Sequence, residues 1–439
     1  MRLYGFGAWL GSVLGLLLAG CSGENPGGSD GGGGGDEGTT ADAGSGVDSG
    51  AVDPPGTFTL TSPSDGDYRV TTTPALAWSP SSGAVSYNVE VATSTTFETI
   101  VSQVTGVTST SATLTTAIAP GAIHYWRVTA VNAGGSTVAS NAPFWMSTPV
   151  AVGSNPHGVA VTPDGTQAIV ANDVTAGSLT FVALPAFTTQ TVTVGGYPKQ
   201  VSITPDGALA IVTELNDAKI VDIATKSVAR TVTPPCVATT LYGVAAAPGS
   251  ETALMPDFDG GCIGDVLDVI NLATGAITTA IDLGSSATAF GVAVTPDGAT
   301  GLVTRGITTT SVRRVNLGTS AYSIITGTSS SYGAAVTPDG LTALVTSGPS
   351  DTVKVISLTS NTVTASIPFE SNDDVGNVAI TADGLHAVVV GSFYVGVITL
   401  GTNTVKSHSG GGTSVAVTPD GTRALVTSSD GNLYVLKIP

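Results

Sequence analysis

Val161-Thr162-Pro163-Asp164-Gly165 returns along the chain as Ile203-Thr204-Pro205-Asp206-Gly207, Val294-Thr295-Pro296-Asp297-Gly298, Val336-Thr337-Pro338-Asp339-Gly340 and Val417-Thr418-Pro419-Asp420-Gly421. Ile380-Thr381-Ala382-Asp383-Gly384 is a looser copy and Ala247-Pro248-Gly249-Ser250 a degraded one. From Asp164 the steps are 42, 43, 48, 42, 44 and 37 residues, through Asp206, Gly249, Asp297, Asp339 and Asp383 to Asp420. Seven copies at such a period mean one supersecondary unit repeated seven times. No other feature of the sequence restricts the fold as much.

Each copy reads as a hairpin. Alternating apolar residues (Gly158-Val159-Ala160-Val161) lead into the turn and Ala168-Ile169-Val170 lead out of it. Pro presets φ at the second turn position, Asp tolerates the third, and Gly accepts the positive φ that closes the turn. A third strand follows, such as Leu179–Leu184 or Thr352–Ile356, and then a fourth, such as Gln190–Val194. Four strands per unit at this period predict a seven-bladed β-propeller over residues 148–439. The last unit ends after its third strand, Leu433–Ile438, while Thr148–Gly153 mimics a fourth strand. The sequence therefore predicts a ring closed by that N-terminal strand.

Pro156-His157-Gly158-Val159-Ala160-Val161-Thr162-Pro163-Asp164-Gly165 through Asn172 resembles the YVTN-type propeller repeat, and Ile220–Thr225 and Val269–Thr274 match its third-strand pattern. The resemblance implies a fold and little chemistry, since that family shares no catalytic motif.

Ahead of the repeats, residues 57–147 carry short alternating runs (Ala75–Trp78, Tyr87–Val91, Ala112–Leu114) separated by Gly, Pro and Ser. Pro74-x-Leu76-x-Trp78, with Leu114, Pro120-Gly121 and Tyr125-Trp126-Arg127-Val128, resembles a fibronectin type III β-sandwich. That resemblance makes Trp78 a core residue and Tyr125 the corner tyrosine. The module reads as a spacer or a protein- or glycan-contacting arm, and no Arg-Gly-Asp triplet supports integrin-type adhesion. The whole reading is all-β, a sandwich followed by a propeller.

Residues 1–21 hold Arg2, an apolar run from Trp9 to Leu18, and Leu18-Ala19-Gly20-Cys21, which resembles the bacterial lipobox. The resemblance implies a lipid anchor on Cys21 and a place in the cell envelope; Ser22 points to the outer membrane. The run is too short for a stable transmembrane helix. Residues 22–56 have seven acids, no base and abundant Gly and Ser. Such a composition reads as a disordered tether.

Charged residues are only 10% of the chain and the formal net charge is −18. That excludes an electrostatic nucleic-acid binder, which needs a basic face. Once Cys21 is lipidated, Cys236 and Cys262 remain. Propeller topology would bring their loops to one face, so they are a disulfide candidate in an oxidising compartment.

Propeller function resides on the face carrying the loops before strand one and after strand two. There the sequence places the binding candidates His157, Asn172, Lys199, Glu214, Tyr242, Asp257, Phe290, Arg305 and Tyr332. Tyr242, Phe290 and Tyr332 each precede the Gly that opens a first strand, so they either rim a binding funnel or cap the core. Asp257, Asp259, Asp265 and Asp268 have the oxygen chemistry of a Ca²⁺ loop, but Cys262 takes the glycine position and the last Glu is missing, so the stretch reads as a polar surface loop. No metal site, cofactor site or catalytic motif is evident: the four histidines lack zinc spacing and no nucleophile elbow or phosphate loop occurs. The functional expectation is an envelope lipoprotein that presents a protein- or glycan-binding platform, with the question of enzymatic activity open and leaning to no. The alternative is a lactonase-like hydrolase in which His157, Glu214 and Arg305 converge.

Overall fold

The computed structural model describes residues 51–235, 241–259, 264–284, 288–306, 312–369 and 373–439. Residues 52–439 belong to one compact unit. Cys21 and the lipobox, with the tether up to residue 50, lie outside the described residues, as do Cys236 and Cys262.

The first strands are β1 (Leu60–Ser62), β2 (Ala75–Trp78), β3 (Ser86–Ala92), β4 (Ile100–Val107), β5 (Ser111–Thr113), β6 (Ile123–Asn132), β7 (Gly135–Val138) and β8 (Phe144–Ser147). They make two antiparallel sheets, β1-β2-β5 and β4-β3-β6-β7, the second with β8 also on β6. Leu76, Trp78, Val89, Val91, Trp126 and Val128 share their core. Alternation along β6 buries His124, Trp126, Val128 and Ala130. Trp126 is thus the core aromatic of this strand. Tyr125 points the other way and receives the Lys437 ammonium 5.2 Å above its ring, so it is no corner tyrosine.

Next come β9 (Val150–Ala151), then β10 (Pro156–Val161), β11 (Gln167–Asn172), β12 (Gly177–Ala183) and β13 (Thr189–Gly195), which form sheet I. Sheet II is β14 (Val201–Ile203), β15 (Leu209–Thr213), β16 (Ala218–Asp222) and β17 (Ser227–Val232). Sheet III is β18 (Ala245–Ala246), β19 (Thr252–Asp259), β20 (Gly264–Asn271) and β21 (Ala276–Asp282). Sheet IV is β22 (Ala289–Val294), β23 (Thr300–Arg305), β24 (Val312–Asn316) and β25 (Tyr322–Ile325). Sheet V is β26 (Ser331–Val336), β27 (Thr342–Ser347), β28 (Thr352–Ser357) and β29 (Thr362–Pro368). Sheet VI is β30 (Val378–Ile380), β31 (His386–Val390), β32 (Tyr394–Thr399) and β33 (Thr404–Ser409). Sheet VII joins β34 (Ser414–Val417), β35 (Arg423–Ser428) and β36 (Asn432–Lys437) to β9, in the order β34-β35-β36-β9.

The repeated turn has the same chemistry each time. Gly165 N–H donates to Thr162 O at 2.8 Å, and Gly165 takes φ +71°, a conformation that a Cβ would strain. The Thr162 hydroxyl donates to Asp164 Oδ1 at 2.6 Å, and Thr204, Thr295, Thr337, Thr381 and Thr418 repeat the bond to their own Asp. The Thr162 hydroxyl first, then the Thr166 N–H, holds Asp164 below the usual carboxylate range.

Successive sheets pack first strand against first strand, from β10 with β14 through β30 with β34, and β34 also meets β10. Strand pairing, however, stops at the edges of each sheet. The described strands form nine separate open antiparallel sheets and none closes on itself. All-β holds, and β9 does supply the fourth strand of sheet VII; the expected closed propeller and sandwich are replaced by that arrangement of open sheets.

The N-terminal module is no free arm. Tyr68 and Trp145 share a core with Val388, Val390, Val415, Val426 and Leu436. Ser147 Oγ donates to Val435 O at 2.6 Å, and the Arg69 guanidinium lies 4.0 Å from the Tyr434 ring centroid. Residues before the expected boundary at 57 are ordered too: Asn132 Nδ2 donates to Asp53 O at 2.8 Å and Gly56 N–H to Ser82 O at 2.8 Å.

Candidate functional site

One level of the sheets gathers most of the candidate residues. Where each first strand begins, the chain places His157, Lys199, Tyr242, Phe290, Tyr332, Gly376 and Thr413 in turn. Contacts between neighbouring strands set this register. Gly158 N–H donates to Lys199 O at 2.7 Å, and Asn377 Nδ2 to Thr413 O at 3.0 Å. A Cβ at Gly243 would lie 2.5 Å from Phe290 O, and one at Gly333 2.6 Å from Gly376 O. Only glycine permits backbones so close. Buried threonines add cross-links: Thr304 Oγ1 donates to Tyr332 O at 2.7 Å and Thr427 Oγ1 to His157 O at 2.5 Å.

Tyr242, Phe290 and Tyr332, from three successive sheets, form a continuous row. Ring centroids are 4.9 Å apart for Tyr242 and Phe290, and 5.0 Å for Phe290 and Tyr332, in tilted and edge-to-face geometry. Phe290 rests on Gly306 and Tyr332 on Gly348, where any Cβ would collide with the ring. All three rings stay half-buried. They cap the sheet ends and still present an aromatic surface. At the Tyr332 end stands Asp374, whose N–H donates to Asp351 Oδ1 at 2.7 Å. Burial, then Asp351, raises the Asp374 carboxyl; burial, then Asp374, raises the Tyr332 hydroxyl.

On the other side Lys199 Nζ pairs with Asp173 Oδ2 at 2.5 Å. Burial, then the Lys199 charge, lowers the His157 imidazole, so it stands neutral at pH 7. Glu214, 4% exposed, lies against Gly195 with Lys219 Nζ at 3.6 Å. Burial, then a hydrogen bond with Asp217, pushes its carboxyl up to about 7.

The remaining candidates lie elsewhere. Asn172 is 1% exposed and donates to Val152 O at 3.1 Å and Thr180 Oγ1 at 3.0 Å, tying sheet I to the chain beyond β9. Arg305, 4% exposed, pairs with Asp265, its Nε 3.2 Å from Oδ2. It belongs to the interface of sheets III and IV, whereas Glu214 belongs to that of sheets I and II, so the expected His157–Glu214–Arg305 convergence does not occur. Asp257 is buried in β19 on the face of sheet III that also carries Asp268. Among the described residues no three His, Cys, Asp or Glu side chains group as a metal site, and no helix is long and apolar enough to cross a membrane. No disulfide occurs among the described residues, and both cysteines of the expected Cys236–Cys262 bond lie outside them.

No family model matches the chain, and no curated protein matches it. Solved structures do. Hydrazine synthase from Kuenenia stuttgartiensis is similar over 65% of this chain and 96% of its own, with a TM-score of 0.57 and 19% identity. That likeness shows the fold alone. The expected fibronectin- and YVTN-type lipoprotein class, the protein- or glycan-binding platform and the lactonase alternative all rested on a closed propeller, and they fall with the open sheets found in its place.

Sequence reasoning missed Asp173, Asp217 and Lys219, which neutralise the rim charges, and the glycines that seat the rings. Gly306 and Gly348 follow the second strands of sheets IV and V, a signal visible only once the aromatic positions are aligned.

Proposed function

We propose that the chain binds a small organic cation, an amine or quaternary ammonium, on the row Tyr242–Phe290–Tyr332. The observation that carries this reading is the row itself, three half-buried rings in contact with a carboxylate at one end. Aromatic faces attract cations through their quadrupole, by about 0.5–2 kcal/mol per ring. Asp374 supplies the opposite charge, and a neutral His157 beside an ion-paired Lys199 adds little repulsion.

Calorimetric titration of the full chain with benzylamine and tetramethylammonium tests this. Saturable binding is expected, with Phe290→Leu, which keeps apolar bulk and removes the π face, weakening it about 5- to 30-fold. Equal binding by Phe290→Leu, or no saturation by the unaltered chain, would remove the reading.

A further inference from the structure

At the opposite end of the first strands the repeated turns stack in series. A Cβ on Gly207 would lie 3.5 Å from Pro163, one on Gly340 3.4 Å from Pro296, and one on Gly165 3.6 Å from Pro419. The junction of sheets I and VII thus has the same turn packing as the others, yet a cleft of about 540 Å³ opens there. Its cause is the turn after β12. Leu184, Pro185 and Phe187 wall the cleft, and Phe187 is held against Gly121 of the N-terminal module and against Val150. Leu425 and Pro419 face them across the gap.

The polar lining is Asp164, Thr418, Asp420 and Arg423. Both acids are already engaged: Asp164 accepts from Thr162 and Thr166, and Asp420 from Thr418 and Thr422. Arg423 is different. It opens β35 two residues before Leu425, on the same face, and is half-buried. Among the described residues its guanidinium has no carboxylate within 4.0 Å and no hydrogen bond, although it is half-buried in the wall of the cleft. Its cross-strand neighbour is another cation, Lys437, which lies over Tyr125. Asp420, which lines the same cleft, feels the Arg423 charge without pairing with it: against the effect of burial, that charge helps to hold its carboxyl low, after the hydrogen bonds from Thr418 and Thr422.

We propose that this cleft binds a small organic anion, a monocarboxylate with an apolar chain, its head on Arg423 and its body against Leu184, Pro185, Phe187 and Leu425. A guanidinium offers paired donors that match a carboxylate, and the volume suits a small ligand. The site is independent of the aromatic row, being at the other end of the first strands and of opposite charge preference.

The test is calorimetry on the full chain with sodium octanoate, octylamine and inorganic phosphate. Octanoate is expected to bind saturably and the other two at least tenfold more weakly. Arg423→Gln should lose at least tenfold in octanoate affinity while Arg423→Lys loses about threefold, both with an unchanged circular dichroism spectrum. Octylamine or phosphate binding as tightly as octanoate, octanoate failing to saturate, or Arg423→Gln binding like the unaltered chain would each overturn the proposal. If Arg423→Gln fails to fold, Leu184→Asp serves instead: it must lose octanoate, and unchanged binding overturns the proposal equally.

Discussion

Val150→Asp should lower the melting temperature by at least about 10 °C or abolish cooperative unfolding. Val150 is 3% exposed and packs with Val152, Phe187, Leu433 and Val435. Its strand, β9, is the fourth strand of sheet VII, with Leu433 opposite Val150 and Asn432 opposite Ala151. Val152 extends the join, donating its N–H to Gly431 O at 3.0 Å and accepting from Asn172 on sheet I. A carboxylate here forfeits about 1.5–3 kcal/mol of apolar burial and adds several kcal/mol for an unpaired buried charge. Marginal stabilities of about 5–15 kcal/mol leave little room for such a loss. Val150→Ala, which makes only a cavity, should cost about 1–3 kcal/mol and a few degrees. Scanning calorimetry of both variants decides the matter. A melting temperature for Val150→Asp within 2–3 °C of the unaltered chain would mean that β9 contributes little to sheet VII.

The physical reach of each feature decided how legible it was in the sequence. The Thr-Pro-Asp-Gly turns could be read because their hydrogen bonds span only five residues, from Thr162 to Gln167. The all-β class follows from the strands between those turns. Tyr242, Phe290 and Tyr332 could be placed at one level because each precedes the glycine of its own repeat. Pairings between sheets left no such trace. Arg305 and Asp265 are 40 residues apart, and Lys199 meets Asp173 across the junction of sheets I and II. A lone arginine or lysine in the sequence therefore looked available when it was already paired. Tyr125 and Trp126 show the same limit in a strand: both are large and aromatic, and only the register of β6 against β3 decides which one is buried. Arg423 was invisible for the opposite reason, since a guanidinium with no carboxylate within 4.0 Å is recognised only when every neighbour is known.

Asp268→Asn is expected to stabilise the chain at pH 8 and to flatten its stability between pH 4 and pH 7. Asp268 is 1% exposed, and neither carboxylate oxygen has a hydrogen-bond partner among the described residues. Burial first, and then Asp257 on the same face, pushes its carboxyl up from 3.8 to about 7. Between those two pH values the folded chain holds a proton that the unfolded chain has released. Stability therefore falls as pH rises through this window, and the penalty is complete above about pH 7. A shift of that size corresponds to something on the order of 4 kcal/mol. A buried amide recovers only part of it, because its own polar atoms lack partners, at about 1–3 kcal/mol. The net gain at pH 8 should be about 1–3 kcal/mol, with none at pH 4, where the native carboxyl is already neutral. Glu214 titrates in the same range, so the quantity to follow is the difference between variant and unaltered chain in denaturant midpoint at each pH. A difference that grows from pH 4 to pH 8 is the expected result. An equal loss at both values would show that the Asp268 carboxylate is held by contacts an amide cannot reproduce, and would contradict its raised pKa.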